Sequence, residues 1–130
     1  MKRFALTAAL ATVLSASVVL PAQAQESLTL KKIKDAGAIT LGHRESSIPF
    51  SYYDDKQQVI GYSHELMLKV VDDIKANLKL AKLDTKLMPV TSANRITLIQ
   101  NGTVDIECGS TTNNLERQKQ VGFSTTIFVI

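Results

Sequence analysis

The sequence predicts an α/β domain built on a largely parallel sheet flanked by helices, and three observations carry that reading. Short β-type runs alternate with helical stretches through most of the chain, the pattern of strand–helix–strand units. The longest helical stretch has apolar residues at helical spacing, so it lays one face on a sheet. Three strand-like runs are each followed by a segment of hydroxyls and arginines: Arg44-Glu45-Ser46-Ser47, Thr91-Ser92-Ala93-Asn94-Arg95 and Gly109-Ser110-Thr111-Thr112. In open α/β sheets, ligands bind beyond the carboxyl ends of the strands.

The chain opens with Met1-Lys2-Arg3, runs apolar from Phe4 to Leu20, and closes that run with Pro21-Ala22-Gln23-Ala24. A basic start, an apolar middle and an A-x-A end describe a secretory signal peptide, with cleavage expected after Ala24. The run would also fit a bilayer-spanning anchor of ~20 residues; the alanine-rich middle and the small residues at its end favour cleavage. Removal leaves 106 of the 130 residues and takes away Lys2 and Arg3, so Lys+Arg falls from 15 to 13 against 12 Asp+Glu. The basic balance therefore belongs largely to the leader. A nucleic-acid partner, which needs a concentrated basic stripe, is not expected. A soluble periplasmic domain is expected, with a core of its own. Cys108 is the single cysteine and has no partner within the chain. With His43 and His64 it does not make up the ligand set of a usual metal site, so no metal or other cofactor is expected.

Thr29 is placed to cap a short helix over Leu30–Ala36, which Gly37 ends. Lys31, Lys32 and Lys34 read as its solvated face. A buried strand follows over Ala38–Gly42. Pro49 and Phe50 begin an extended piece that turns at Asp54-Asp55-Lys56 and returns through Val59-Ile60, a hairpin-like excursion. Ser63 is placed to cap the longest helix, which runs to about Leu78 and buries Leu66, Met67, Val70, Val71, Ile74 and Leu78. Strand Lys86–Val90, helix Asn94–Gln100 stopping at Asn101-Gly102, strand Val104–Cys108 and helix Asn113–Gln120 complete the alternation. Phe123–Ile130 reads as extended and stops in mid-run. A fragment or truncated product is the expectation from that ending.

The chemistry of the post-strand segments favours recognition over catalysis. Arg44 and Arg95 present rigid forks of donors suited to a carboxylate, and Ser92, Ser110 and Thr112 add hydroxyls near helix starts. Arg117 lies on the helix after Thr112, where it can reach back over the helix start. Taken singly, Ser92 and Thr112 also fit as helix caps, Arg44 as half of a surface pair with Glu45, Arg117 as a solvated helix residue and Tyr62 as plain packing. Their convergence after strand ends of one sheet points to an anion-binding α/β domain. No Gly-x-Ser-x-Gly elbow and no phosphate-loop glycine pattern is present.

The stretches Gly42-His43-Arg44-Glu45-Ser46-Ser47-Ile48-Pro49-Phe50-Ser51-Tyr52-Tyr53-Asp54, Thr91-Ser92-Ala93-Asn94-Arg95, Gln100-Asn101-Gly102-Thr103 and Glu107-Cys108-Gly109-Ser110-Thr111-Thr112-Asn113-Asn114-Leu115-Glu116-Arg117-Gln118 resemble periplasmic solute-binding proteins, family 3, of polar amino-acid importers of the ATP-binding-cassette (ABC) type. Within that family they look like the glutamate/aspartate-binding branch. The resemblance implies a type II binding-protein fold of two lobes, of which residues 25–130 would be the first, ending in a strand toward the hinge with the second lobe absent. It implies a monomer that captures L-glutamate or L-aspartate for a membrane permease. Arg117 would hold the α-carboxylate with help from Ser110 and Thr112, and Ser110 would accept from the α-ammonium. Tyr62 would face the ligand's aliphatic part. Arg44 would select an acidic side chain, with Arg95 and Ser92 as its second partners, and Cys108 would find a partner cysteine in the other lobe. A dehydratase-like enzyme of the same fold, with Glu45 as the candidate acid, and a sensory or truncated module are the alternatives.

Overall fold

The computed structural model describes residues 27–129; the expected leader, its expected cleavage point and Ile130 lie outside the described residues. The elements, in order, are α1 (Leu28–Ala36), β1 (Ala38–His43), β2 (Ser46–Ser47), β3 (Ser51–Tyr53), β4 (Val59–Ile60), α2 (Tyr62–Asn77), β5 (Asp84–Pro89), α3 (Arg95–Gln100), β6 (Ile106–Glu107) and α4 (Leu115–Gln118). Two sheets result, a parallel one in the order β5-β1-β6 and an antiparallel ribbon in the order β2-β3-β4. The fold is α/β, a parallel sheet flanked by helices.

β1 is the centre of the domain. Ala38 through His43 pair in parallel with Asp84 through Pro89 on one side, while Leu41 and Gly42 pair with Ile106 and Glu107 on the other. Its alternate residues Ile39 and Leu41 are fully buried and form one cluster with Ile33 of α1 and Met67 and Val71 of α2. Each such side chain contributes about 1.5–3 kcal/mol by leaving water, so the cluster holds both long helices to the sheet. On the other face of β1, Gly42 lies under Val104, Val90 and Glu107, and a Cβ there would fall 3.0 Å from Val104.

The structure corrects several local expectations. Ser27, not Thr29, occupies the N-cap of α1, and its side chain makes no capping bond; Gly37 ends the helix as expected. Lys32 is not merely solvated, since its ammonium donates to buried Asp105 at 2.7 Å and to the Gly102 carbonyl at 2.6 Å. Asp105 also accepts from the Thr40 N–H while its own N–H donates to the Thr40 carbonyl at 2.9 Å, and β6 spans only two residues. Ser63 does not cap α2. Gly61 is the N-cap, and Ser63, fully buried, donates to the Gly109 carbonyl at 3.1 Å. In the predicted stripe of α2, Val70 is 39% exposed. Residues 123–129 form no ladder; Phe128 instead packs edge-on against Phe50, with centroids 4.9 Å apart.

Gly61 joins the ribbon to α2 at φ 122°, and a Cβ there would fall 2.6 Å from the Phe50 carbonyl oxygen. That backbone region belongs essentially to glycine. Gly61→Ala is therefore expected to lower unfolding free energy by about 2–3 kcal/mol, read as a fall in the midpoint of urea denaturation.

Candidate functional site

Because β5, β1 and β6 run parallel, their carboxyl ends open at one edge, and the three predicted segments meet there. Arg44 leaves β1 and ties them together. Its Nε donates to Ser47 Oγ at 3.1 Å and a terminal nitrogen donates to the Val90 carbonyl at 2.9 Å, while its backbone N–H donates to buried Ser51 Oγ at 3.0 Å. Ser47 in turn accepts from Ser110 Oγ at 3.4 Å. Gly109 makes this packing possible, since a Cβ at that position would fall 2.7 Å from both Arg44 Cγ and Glu107 Oε1.

Arg95 begins α3 and is only 5% exposed. Its Nε and one terminal nitrogen have no hydrogen-bond partner, and neither has Glu107 Oε1, 3.9 Å away. Burial lowers the pKa of the Arg95 guanidinium; Glu107 opposes that effect, and the nearby charges of Arg117 and Arg44 add to it. A buried donor without a partner costs about 1–3 kcal/mol. Two on one side chain, beside two further cations, make a place where an incoming anion is strongly favoured.

Arg117 sits on α4 and reaches back as predicted, donating to the Thr112 carbonyl at 2.8 Å. Glu116 is taken by Lys119 at 2.8 Å, which leaves Arg117 to the loop. Neither Ser92 nor Thr112 is a helix cap. Asn94 is the N-cap of α3 and exchanges bonds with Thr91, while Asn114 caps α4 by accepting from the Arg117 N–H. The hydroxyls of exposed Ser92 and Thr112 are thus not engaged in capping. Tyr62 is half-exposed at the start of α2, and its hydroxyl donates to the Ile127 carbonyl at 3.3 Å.

A cavity of about 520 Å³ lies against this edge, lined by Arg95, Glu107, Ser110 and Thr112 on the polar side and by residues such as Phe50 and Phe128 on the apolar side. That is the size and character of a small-molecule site. Arg44 adjoins its polar wall through Ser47 and Gly109, and Arg117 through Thr112; Tyr62 and Ser92 do not line it. Glu45, the candidate acid of the enzyme alternative, is exposed and outside the cavity. Burial, and secondarily Glu107, push the Cys108 thiol up to about 11, which favours the protonated form at neutral pH. Sequence reasoning missed Ser47, Glu107 and Thr111. The available signal was Glu107, which shares the strand run Val104–Cys108 with a second carboxylate, Asp105.

Residues 39–129 match the family model of bacterial extracellular solute-binding proteins, family 3. The chain belongs to this family. Among curated relatives of this family-3 chain, the glutamate/aspartate import solute-binding protein of Escherichia coli (strain K12) is 54% identical over 129 residues, covering 95% of this chain and 42% of the relative. The L-glutamate/L-aspartate-binding protein of Pseudomonas aeruginosa (strain PAO1) is 58% identical over 125 residues, covering 95% of this chain and 40% of the relative. The chain thus spans about two-fifths of the length of these relatives. The solved cysteine-binding protein from Campylobacter jejuni is similar at a TM-score of 0.65 and 27% identity, over 75% of this chain and 38% of that one. Among the described residues, no helix is long and apolar enough to cross a membrane.

Proposed function

We propose that this family-3 chain supplies one lobe's share of a site for an acidic amino acid, L-glutamate or L-aspartate, within an exported, non-enzymatic binding protein that delivers it to the permease of an ABC-type importer. The observation that carries the ligand class is Arg95: a buried guanidinium with two partnerless donors, beside Arg44 and Arg117. An acidic side chain answers Arg95 and Arg44, which also donates across the strand ends. The α-carboxylate is assigned to Arg117 with Ser110 and Thr112, which follow one another in a single loop and helix. Ser110 also serves the α-ammonium, Ser92 supports Arg95, and Tyr62 faces the aliphatic part. The names of the relatives in E. coli and P. aeruginosa favour the same ligand pair. Cleavage after Ala24, a periplasmic location and a monomeric state complete the proposal. Ligand bridging two lobes would shift an open–closed equilibrium, and the closed form would dock on the permease.

The test is thermal unfolding of the protein expressed from its complete open reading frame. At 100-fold excess over Kd, a ligand stabilises by about 2.7 kcal/mol, so L-glutamate or L-aspartate is expected to raise the melting temperature by several degrees. L-lysine and L-glutamine are expected to leave it unchanged. No shift with either acid would overturn the assignment.

A further inference from the structure

We propose that Glu107 is a positioning residue for Arg95: it is the resident counter-charge that holds the guanidinium in the empty site and competes for it with the carboxylate of an acidic ligand. This rests on the functional reading above and deepens it.

The geometry has three parts. Glu107 and Arg95 are both buried, with side chains 8% and 6% exposed, and both line the cavity. They stand 3.9 Å apart, near enough to offset each other's charge and too far for a hydrogen bond. The Glu107 Oε1 and the Arg95 Nε and terminal nitrogen that would make that bond are all left without partners. The cause of the gap is also visible. Thr111 Oγ1 donates to Glu107 Oε2 at 2.6 Å, and the Glu107 side chain occupies space left by Gly42 and Gly109, where a Cβ would come within 3.3 Å of its Cγ and 2.7 Å of its Oε1 respectively. Thr111 holds the carboxylate back from closing on Arg95, in the space that the two glycines leave for it.

The consequence is a balance. With Arg44 and Arg117 nearby, an uncompensated Arg95 would be repelled as well as desolvated; Glu107 offsets both effects. Because the pair never closes, the donors of Arg95 remain free for a ligand. The same carboxylate then lies close to the bound anion and repels it. Glu107 therefore lowers affinity for acidic ligands while stabilising the empty site.

Two neighbouring substitutions should consequently move affinity in opposite directions. In the protein from its complete reading frame, Glu107→Gln keeps the shape and removes the charge. L-Glutamate, followed by calorimetry, should then bind about tenfold more tightly, the scale of removing one like charge a few ångströms from the ligand. Thr111→Val releases the carboxylate to close on Arg95 and should weaken binding several-fold. A merely structural role would make both variants bind more weakly, and that outcome, or unchanged affinity in Glu107→Gln, overturns the inference. A ligand-free arm separates this from the functional reading. Glu107→Gln should lower the melting temperature in the wild-type background and leave it unchanged or raised in an Arg95→Met background. Equal losses in both backgrounds overturn the inference even if wild-type protein binds L-glutamate. A wild-type protein that binds neither acid, yet shows the coupling, overturns the ligand assignment and leaves the Glu107–Arg95 pairing standing.

Discussion

Arg44→Asp is expected to abolish the stabilisation by L-glutamate and L-aspartate altogether. The change is a reversal, so it removes an attraction and installs a repulsion at the same point. It also removes the donors to Ser47 and to the Val90 carbonyl that tie the ends of β1 and β5 together. A hydrogen bond to a charged group contributes about 1.5–3 kcal/mol, and a like charge facing the ligand adds a penalty of similar size. Together these amount to about 3–6 kcal/mol of the roughly 8 kcal/mol of a micromolar complex. The readout is the ligand-induced shift in melting temperature, and persistence of a full shift with either acid would show that Arg44 does not select the ligand. Arg44→Lys separates the two contributions. It keeps the charge and loses the planar fork, so a reduced shift is expected rather than none.

Arg95→Met is the second large effect, and it has two readouts. Binding should fall by at least a hundredfold, because the donors that meet the ligand's acidic side chain are gone and its carboxylate would be buried without a partner. Stability without ligand should fall as well, because the single variant leaves the Glu107 carboxylate buried without its counter-charge. It should recover in Arg95→Met/Glu107→Gln, since replacing both members of a buried ion pair is often neutral or stabilising. Titration calorimetry and urea denaturation on the same sample check both halves. A variant that loses binding only because it has unfolded contradicts this expectation.

Much of this was legible in the residues. β1 and α2 carry strong periodic signals, and the hydrophobic spacing placed both within a residue or two of their observed bounds. Placing Arg44, Ser110 and Arg117 after strand ends needed only the strand assignments and the rule for open parallel sheets. The errors cluster where a short polar side chain could serve either the local backbone or a distant partner. Ser63 has the right type and position for a cap, but its hydroxyl goes to Gly109, forty-six residues on; local propensity does not contain that partner. Asp105 behaves in the same way, its carboxylate answering Lys32 and Thr40 from across the fold. Glu107 was passed over because a carboxylate at a strand end usually faces water. Its burial depends on Gly42 and Gly109 leaving room on either side, which only the packed arrangement reveals.

The strand order has a kinetic side as well. Ala38 pairs with Asp84, and Leu41 with Ile106, so no two strands of the recognition sheet are joined by a short turn. Each pairing must close a long loop before any contact compensates for the lost chain entropy. The β2-β3-β4 ribbon, by contrast, pairs Tyr53 with Val59 across a tight turn and can form in microseconds. Loop closure therefore favours the rim over the centre as the first part to form, and parallel sheets of high contact order fold slowly. The arginines that depend on that sheet's edge take up their places only when the last strand has joined it.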